Sequence, residues 1–262
     1  MAVFYHGADV VKCPLKEYFS AFREKLGIDG TYRSPAAAGT DGYRKNGASL
    51  ALALGRIVAD ASAPQLTDAA LKALCGQAKG SAFFGVLVSP VRVPLAKKLL
   101  GASGVRVICL AGGTGESLPA VKRAEVRRAV RMGAREIYFF PCRSALAEGR
   151  AAYLKREVKT IRRAAKKASV LLVLGGLPPA QVALGVRAAA EGGADGVCVR
   201  AEDALPAVEG GAGRLRIDAL CAGDARSLED CLRLGAVRVC TPYPEQLAGL
   251  MKKRLFPEPA LP

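Results

Sequence analysis

From Arg56 onward, short runs of β-branched and apolar residues alternate with longer stretches of helical spacing, and no other feature constrains the fold as strongly. The runs are Arg56–Asp60, Phe83–Ser89, Val105–Ala111, Glu136–Pro141, Val170–Leu174, Gly196–Arg200, Leu215–Leu220 and Val237–Cys240. Between them, stretches such as Asp68–Lys79 and Ala120–Met132 place apolar residues at i, i+3 and i+4, the pattern of a helix with one buried face. Leu66-Thr67-Asp68 supplies a helix start, and Gly133-Ala134 and Gly235-Ala236 stand where a helix ends and a strand begins. Strands joined through helices pair in parallel, and eight such units predict an α/β fold, a closed (β/α)8 TIM barrel. An open doubly wound sheet is the alternative, but no G-x-G-x-x-G follows an early strand. The expected organisation is an N-terminal helical extension over 1–55, packed on the barrel and holding a helix at Leu15–Leu26. The barrel follows over 56–250, and an extended C-terminal tail over 251–262.

With 262 residues, 51% hydrophobic and 24% charged, the chain has ample material for such a core and is neither disordered nor fibrous. Its single histidine, His6, excludes a multi-histidine metal centre, and no metal or cofactor is expected. Met1–Pro14 carries Asp9 and Lys12 and lacks the apolar stretch of a secretory signal. The longest uncharged stretch, the 19 residues Ala168–Val186, is broken by Gly175, Gly176, Pro178 and Pro179. It reads as a strand, a turn and a helix start rather than as a membrane span. The expected compartment is the cytoplasm, with no membrane partner, and the eight cysteines are expected to be reduced there. None stands in a C-x-x-C pair.

The order of several short motifs then points further. They are Leu66-Thr-Asp-Ala-Ala-Leu-Lys-Ala-Leu-Cys75, Val86-Leu-Val-Ser-Pro90 with Pro94-Leu-Ala, and Val121-Lys-Arg-Ala-Glu125 with Ala129-Val-Arg-Met-Gly-Ala-Arg-Glu-Ile137. Gly193-Ala-Asp195 and Gly223-Asp-Ala-Arg-Ser-Leu-Glu-Asp230 complete the set. In this order and spacing they resemble the deoxyribose-phosphate aldolase family, lyases built on an aldolase-type TIM barrel, from about Ile57 to Cys240.

The resemblance also implies that the family's chemistry is missing. Family members cleave a phosphosugar through a Schiff base on a lysine of the sixth strand, an amine whose pKa must be lowered to act as nucleophile. In Gly193-Ala-Asp-Gly-Val-Cys-Val-Arg200, that position falls on Cys198. The neighbouring lysine of the seventh strand falls on Leu220, and the acidic proton-relay position on Tyr138. The connection Ala201–Gly213 is too short for the family's phosphate loop and a full helix. In Cys240-Thr-Pro-Tyr-Pro244, two prolines replace phosphate-binding N–H donors. Only the turn at Gly223 and Asp224 keeps the shape of an anion site, for a small anionic ligand at the barrel mouth.

Other groups are candidates to replace the missing chemistry. Cys198 is a candidate nucleophile, although free cysteine in a strand is more often a small buried apolar side chain. Asp218 lies two residues before Leu220 and so on the same side, where it can pair with Arg200 or Arg216 as a lumen acid or as a structural ion pair. Cys109, Cys142, Cys198, Cys221 and Cys240 adjoin strands, but Cys221 should face outward, which argues for core packing over a thiolate cage. Gly112-Gly-Thr-Gly115 is either an anion-binding turn or a plain βα turn. Lysines on the outer helices, such as Lys122 and Lys155, are expected to be solvated and protonated. From Lys122 to Lys167 there are fifteen Lys and Arg against four Asp and Glu, so this stretch holds eleven of the sixteen net positive charges. The face containing Arg127, Arg128, Arg162 and Arg163 is thus either a polyanion-binding surface or a solvated one.

The function expected first is that of a pseudoenzyme without Schiff-base activity, with a binding, scaffolding or regulatory role. An enzyme acting on a small carbonyl or phosphosugar through a different group is the alternative. A binder of polyanions or acidic proteins is the third class. A homo-oligomer is compatible with all three.

Overall fold

The computed structural model describes residues 50–200, 203, 215–233 and 236–255. The extension expected up to residue 49, the connection Ala201–Gly213 apart from Asp203, and the tail from 256 lie outside the described residues. Eight strands close into a parallel barrel: β1 (Ile57–Ala61), β2 (Gly85–Val88), β3 (Arg106–Ala111), β4 (Glu136–Phe139), β5 (Ser169–Val173), β6 (Gly196–Arg200), β7 (Arg216–Leu220) and β8 (Arg238–Thr241). β8 pairs back onto β1, so the sheet has no free edge. Each run read from the sequence overlaps its strand and differs from it at either end by at most two residues.

The described helices are α1 (Asp68–Gly80), α2 (Val93–Leu100), α3 (Pro119–Arg131), α4 (Arg143–Ala147), α5 (Ala151–Ala165), α6 (Pro179–Gly192), α7 (Ala225–Arg233) and α8 (Pro244–Leu255). The Thr67 hydroxyl accepts the Ala70 N–H at 3.2 Å and so starts α1. Pro119 and Pro179 open α3 and α6, where a missing N–H costs nothing. Gly193, at φ +81°, ends α6 in the left-handed conformation. α8 continues to Leu255, so the first five residues assigned to the tail are helical. No helix among the described residues is long and apolar enough to cross a membrane.

Parallel register puts paired residues on the same side of the sheet. Leu110, Tyr138, Leu171, Gly196 and Arg216 form one inward row across β3 to β7. Val173, Cys198, Asp218 and Arg238 form another across β5 to β8. Gly196 is required in the first row, because a Cβ there would lie 2.4 Å from the Arg216 carbonyl oxygen.

The expectation for Lys122 is overturned. Its side chain is fully buried between α3 and the β-strand ends, and Nζ donates to Glu157 Oε1 at 2.6 Å, Gly115 O at 2.6 Å and Phe140 O at 3.0 Å. Glu157, equally buried, accepts the Cys142 N–H through its other oxygen at 3.0 Å. The lysine stem crosses apolar packing, and the turn carbonyls close a polar cage around its head, so solvent is replaced rather than lost. Lys155 keeps the expected character, half exposed and paired with Glu191 at 2.9 Å. Replacing Lys122 by Met would strand the Glu157 carboxylate. The Lys122→Met variant should lose about 3–5 kcal/mol in urea denaturation; a loss below about 1 kcal/mol would show that the pair does not hold these turns.

Candidate functional site

The lumen is built in levels. At its floor, at the N-terminal ends of the strands, the buried Glu136 carboxylate takes three guanidiniums. Arg238 Nη1 donates to both of its oxygens at 2.9 and 2.7 Å, Arg216 Nη2 to Oε2 at 3.0 Å and Arg106 Nη1 to Oε1 at 3.1 Å. Phe84 lies beneath, its ring centroid 3.3 Å from the Arg238 guanidinium carbon and 4.8 Å from that of Arg106. Sequence reasoning passed over Glu136, Arg106, Arg238 and Phe84. A signal was present, since Glu136 and Arg216 each stand two residues before a residue already placed in the lumen, Tyr138 and Asp218.

One level up, the structure brings together Tyr138, Cys198 and Asp218. The Tyr138 hydroxyl donates to Asp218 Oδ2 at 2.5 Å, and Arg216 Nε donates to Oδ1 at 3.1 Å. Asp218 thus pairs with Arg216, the second of the partners expected for it. Cys198 and Cys240 pack with Val58, Leu87, Ile108 and Leu171 around them. Burial is the largest influence on each titratable group here. It pushes the Tyr138 phenol and the Cys198 thiol well up, and the Asp218 charge adds to both shifts. It also holds the Asp218 carboxyl above its ordinary range, against Arg216, Arg238 and the Tyr138 hydrogen bond, which pull it down. A neutral thiol enclosed in this way is a weak nucleophile.

At the C-terminal mouth, Leu110, Phe140 and Leu220 pack over this level. Leu220 closes down because Gly175 gives it room: a Cβ there would lie 2.7 Å from Leu220 Cδ1. Arg200 is exposed at the rim over Gly176, whose Cβ would come within 3.1 Å of the guanidinium. It is separated from Asp218 by a full level of the barrel.

The two turns considered for anions use their own donors. The Gly112 N–H goes to Glu125 Oε2 at 2.7 Å, and the Gly115 N–H to Gly112 O at 2.8 Å. At the second turn, Tyr243 sits against Gly223, and the Asp224 carboxylate accepts the Ser227 N–H at 2.8 Å. That hydrogen bond holds Asp224 below its usual carboxylate range, as a negative group at the N-terminus of α7. On the outside, α3 and α5 are neighbours, as expected. Between them lies a cleft of about 380 Å³ lined by Arg127, Val130, Arg131, Ala164 and Lys166. Arg128 and Arg163 are exposed. Arg162 instead clamps the end of its own helix, donating to the Lys166 and Ala168 carbonyls and lying 3.6 Å from Asp195.

The closed parallel barrel with its inward rows is an aldolase-type TIM barrel. No protein-family model matches the chain. The chain is similar to the deoxyribose-phosphate aldolase of Malacoplasma penetrans, 34% identical over 113 residues, which are 43% of this chain and 51% of that protein. It is also 34% identical over 116 residues to the deoxyribose-phosphate aldolase of Rhodospirillum rubrum, covering 43% of this chain and 49% of the relative. The chain thus spans about half the length of the curated relatives it matches. Among solved structures, the aldolase QR15 superposes with a TM-score of 0.72 at 23% identity, over 79% of this chain and 99% of its own. The deoxyribose-phosphate aldolase of Aeropyrum pernix, described as a tetramer, gives 0.70 at 19% identity over 82% and 99%. The resemblance read from the motifs therefore holds in sequence for part of the chain and in fold for the barrel.

The tyrosine–aspartate contact carries a pH signature. Asp218 has a folded-state pKa above its ordinary 3.8, so its contribution to stability is complete below that value and is lost as pH rises through the folded value. Tyr138→Phe removes a hydrogen bond that favours the carboxylate and raises the folded value further. The variant should be destabilised by about 1–3 kcal/mol at neutral pH, and by less near pH 4, in denaturant titrations across that range. A pH-independent difference would contradict the contact.

Proposed function

We propose that this protein is an aldolase-type barrel that has exchanged Schiff-base chemistry for a binding, scaffolding or regulatory role. The observation that carries this reading is the set of side chains at the lumen positions that the resemblance assigns to catalysis. They are a phenol bound to a carboxylate, an enclosed thiol and a leucine, Tyr138, Cys198 and Leu220. A carbinolamine requires a neutral primary amine within reach of a carbonyl. The charged lumen groups on the described strands are Asp60, Arg106, Glu136, Arg200, Arg216, Asp218 and Arg238, and arginine stays protonated. The buried amine of Lys122 lies on α3, outside the wall, and is held by Glu157.

A second reading is favoured by the cleft between α3 and α5. Arg127, Arg131 and Lys166 rim an apolar floor there, and such a surface suits a polyanion or acidic protein whose binding weakens steeply with salt. It is compatible with the first reading, because the face lies on the outside of the barrel.

Incubation with deoxyribose 5-phosphate or acetaldehyde, followed by borohydride reduction and intact-mass measurement, tests the first reading. The expected result is no stoichiometric adduct, with only scattered labelling of exposed lysines. A single adduct at full occupancy, mapped to one lysine, would overturn it.

A further inference from the structure

The floor of the lumen satisfies its carboxylates but leaves its arginines with unused donors. Arg238 and Arg106 each reach Glu136 through Nη1 alone, and Arg216 uses Nε and Nη2 on Asp218 and Glu136. Among the described residues no buried polar side-chain atom lacks a partner, so the remaining N–H groups of Arg216 and Arg238 reach solvent. They do so although both side chains are largely buried, and Arg106 beside them is half-exposed. Arg56 adds a fourth cation. Val58 packs in the lumen and pairs with Cys240, so Arg56, two residues earlier, stands level with Arg238 on the same side of the sheet. Four arginines thus meet two carboxylates, Glu136 and Asp218, and the floor keeps two positive charges uncompensated.

We propose that this floor, at the N-terminal ends of the strands, is a binding site for a phosphate dianion, free or as a monoester, held by Arg106, Arg216 and Arg238 with Arg56 beside them. A guanidinium offers its N–H groups as planar forks that match the spacing of phosphate oxygens. Because three guanidiniums converge on one carboxylate, their unused edges border one small area. The surplus of two charges is matched by a dianion, whereas a single carboxylate ligand would leave one charge over.

The surroundings hold these donors in place before any ligand arrives. Glu136 ties the inner edges of three guanidiniums, and the Phe84 ring lies against those of Arg238 and Arg106, at 3.3 and 4.8 Å from their carbons. Little side-chain freedom is then left to lose on binding. The ligand meets the arginines from the N-terminal end, below Glu136, and needs no space among Tyr138, Cys198 and Leu220. The site is therefore independent of carbonyl chemistry in the lumen. It is also separate from Arg127 and Arg131, which lie on α3 outside the barrel.

The test is calorimetric titration of the full chain with inorganic phosphate and with glycerol 3-phosphate, at an ionic strength held constant with chloride. One site is expected. Arg106→Gln should weaken it about tenfold or more, the loss of a charge-assisted contact, and Arg56→Gln should weaken it in the same direction. The Arg127→Gln, Arg131→Gln double variant should bind as the parent does. Binding of both probes assigns the site to phosphate monoesters, and binding of inorganic phosphate alone assigns it to the free ion. Arg56 makes no contact with Glu136, so Arg56→Gln carries the test if Arg106→Gln fails to fold. A crystal soaked in phosphate should show the oxyanion within hydrogen-bond distance of at least two of the floor guanidiniums. No saturable binding of either probe, an affinity unchanged in Arg56→Gln and Arg106→Gln, or a loss in the outer double variant instead, would overturn the proposal.

Discussion

A carboxylate buried beneath three guanidiniums determines what the inside of this barrel can be. Taking Glu136 out of water is costly, and three charge-assisted contacts with Arg106, Arg216 and Arg238 offset that cost. Each of those partners begins its strand. The cluster therefore fixes the level at which β3, β4, β7 and β8 enter the barrel, and with it the height of every side chain above. Tyr138 and Asp218 stand two residues beyond Glu136 and Arg216, so the phenol meets the carboxylate because the floor has been set. Among the described residues, no buried polar side-chain atom is left without a partner.

That completeness bears on reactivity. A catalytic lumen keeps a group whose polar demand is met only by substrate or by the transition state. Here Asp218 is met by Tyr138 and Arg216, Glu136 by three arginines, and the thiols by apolar neighbours. Toward the mouth, the partly buried Leu110, Phe140 and Leu220 pack against this core.

Much of the barrel was legible in the sequence because its signals are local. Apolar runs, helix periodicity, Thr67 before α1 and glycine after α6 all act over a few residues. The lumen positions of Tyr138, Cys198, Asp218 and Leu220 followed from motif order and strand parity. The floor was not read, although parity alone carries Glu136 inward from Tyr138. Its meaning depends on which strands lie side by side and at what stagger, and these are properties of the closed barrel. Lys122 was misread for a related reason. A lysine on an outer helix is solvated by default, and its burial depends on Glu157, 35 residues away, and on turn carbonyls from two loops. Arg162 was counted on the basic face because composition does not reveal that its guanidinium is engaged by the end of its own helix.

The central proposal is that the lumen, among the described residues, is an internally satisfied core that offers no amine to a carbonyl substrate. A crystal structure of the protein soaked in deoxyribose 5-phosphate tests it most directly. The account predicts Tyr138 on Asp218, Leu220 over Gly175, and no sugar between β6 and β7. Electron density for a sugar in the lumen, continuous with a lysine Nζ or with the Tyr138–Asp218 contact broken to admit it, would contradict it.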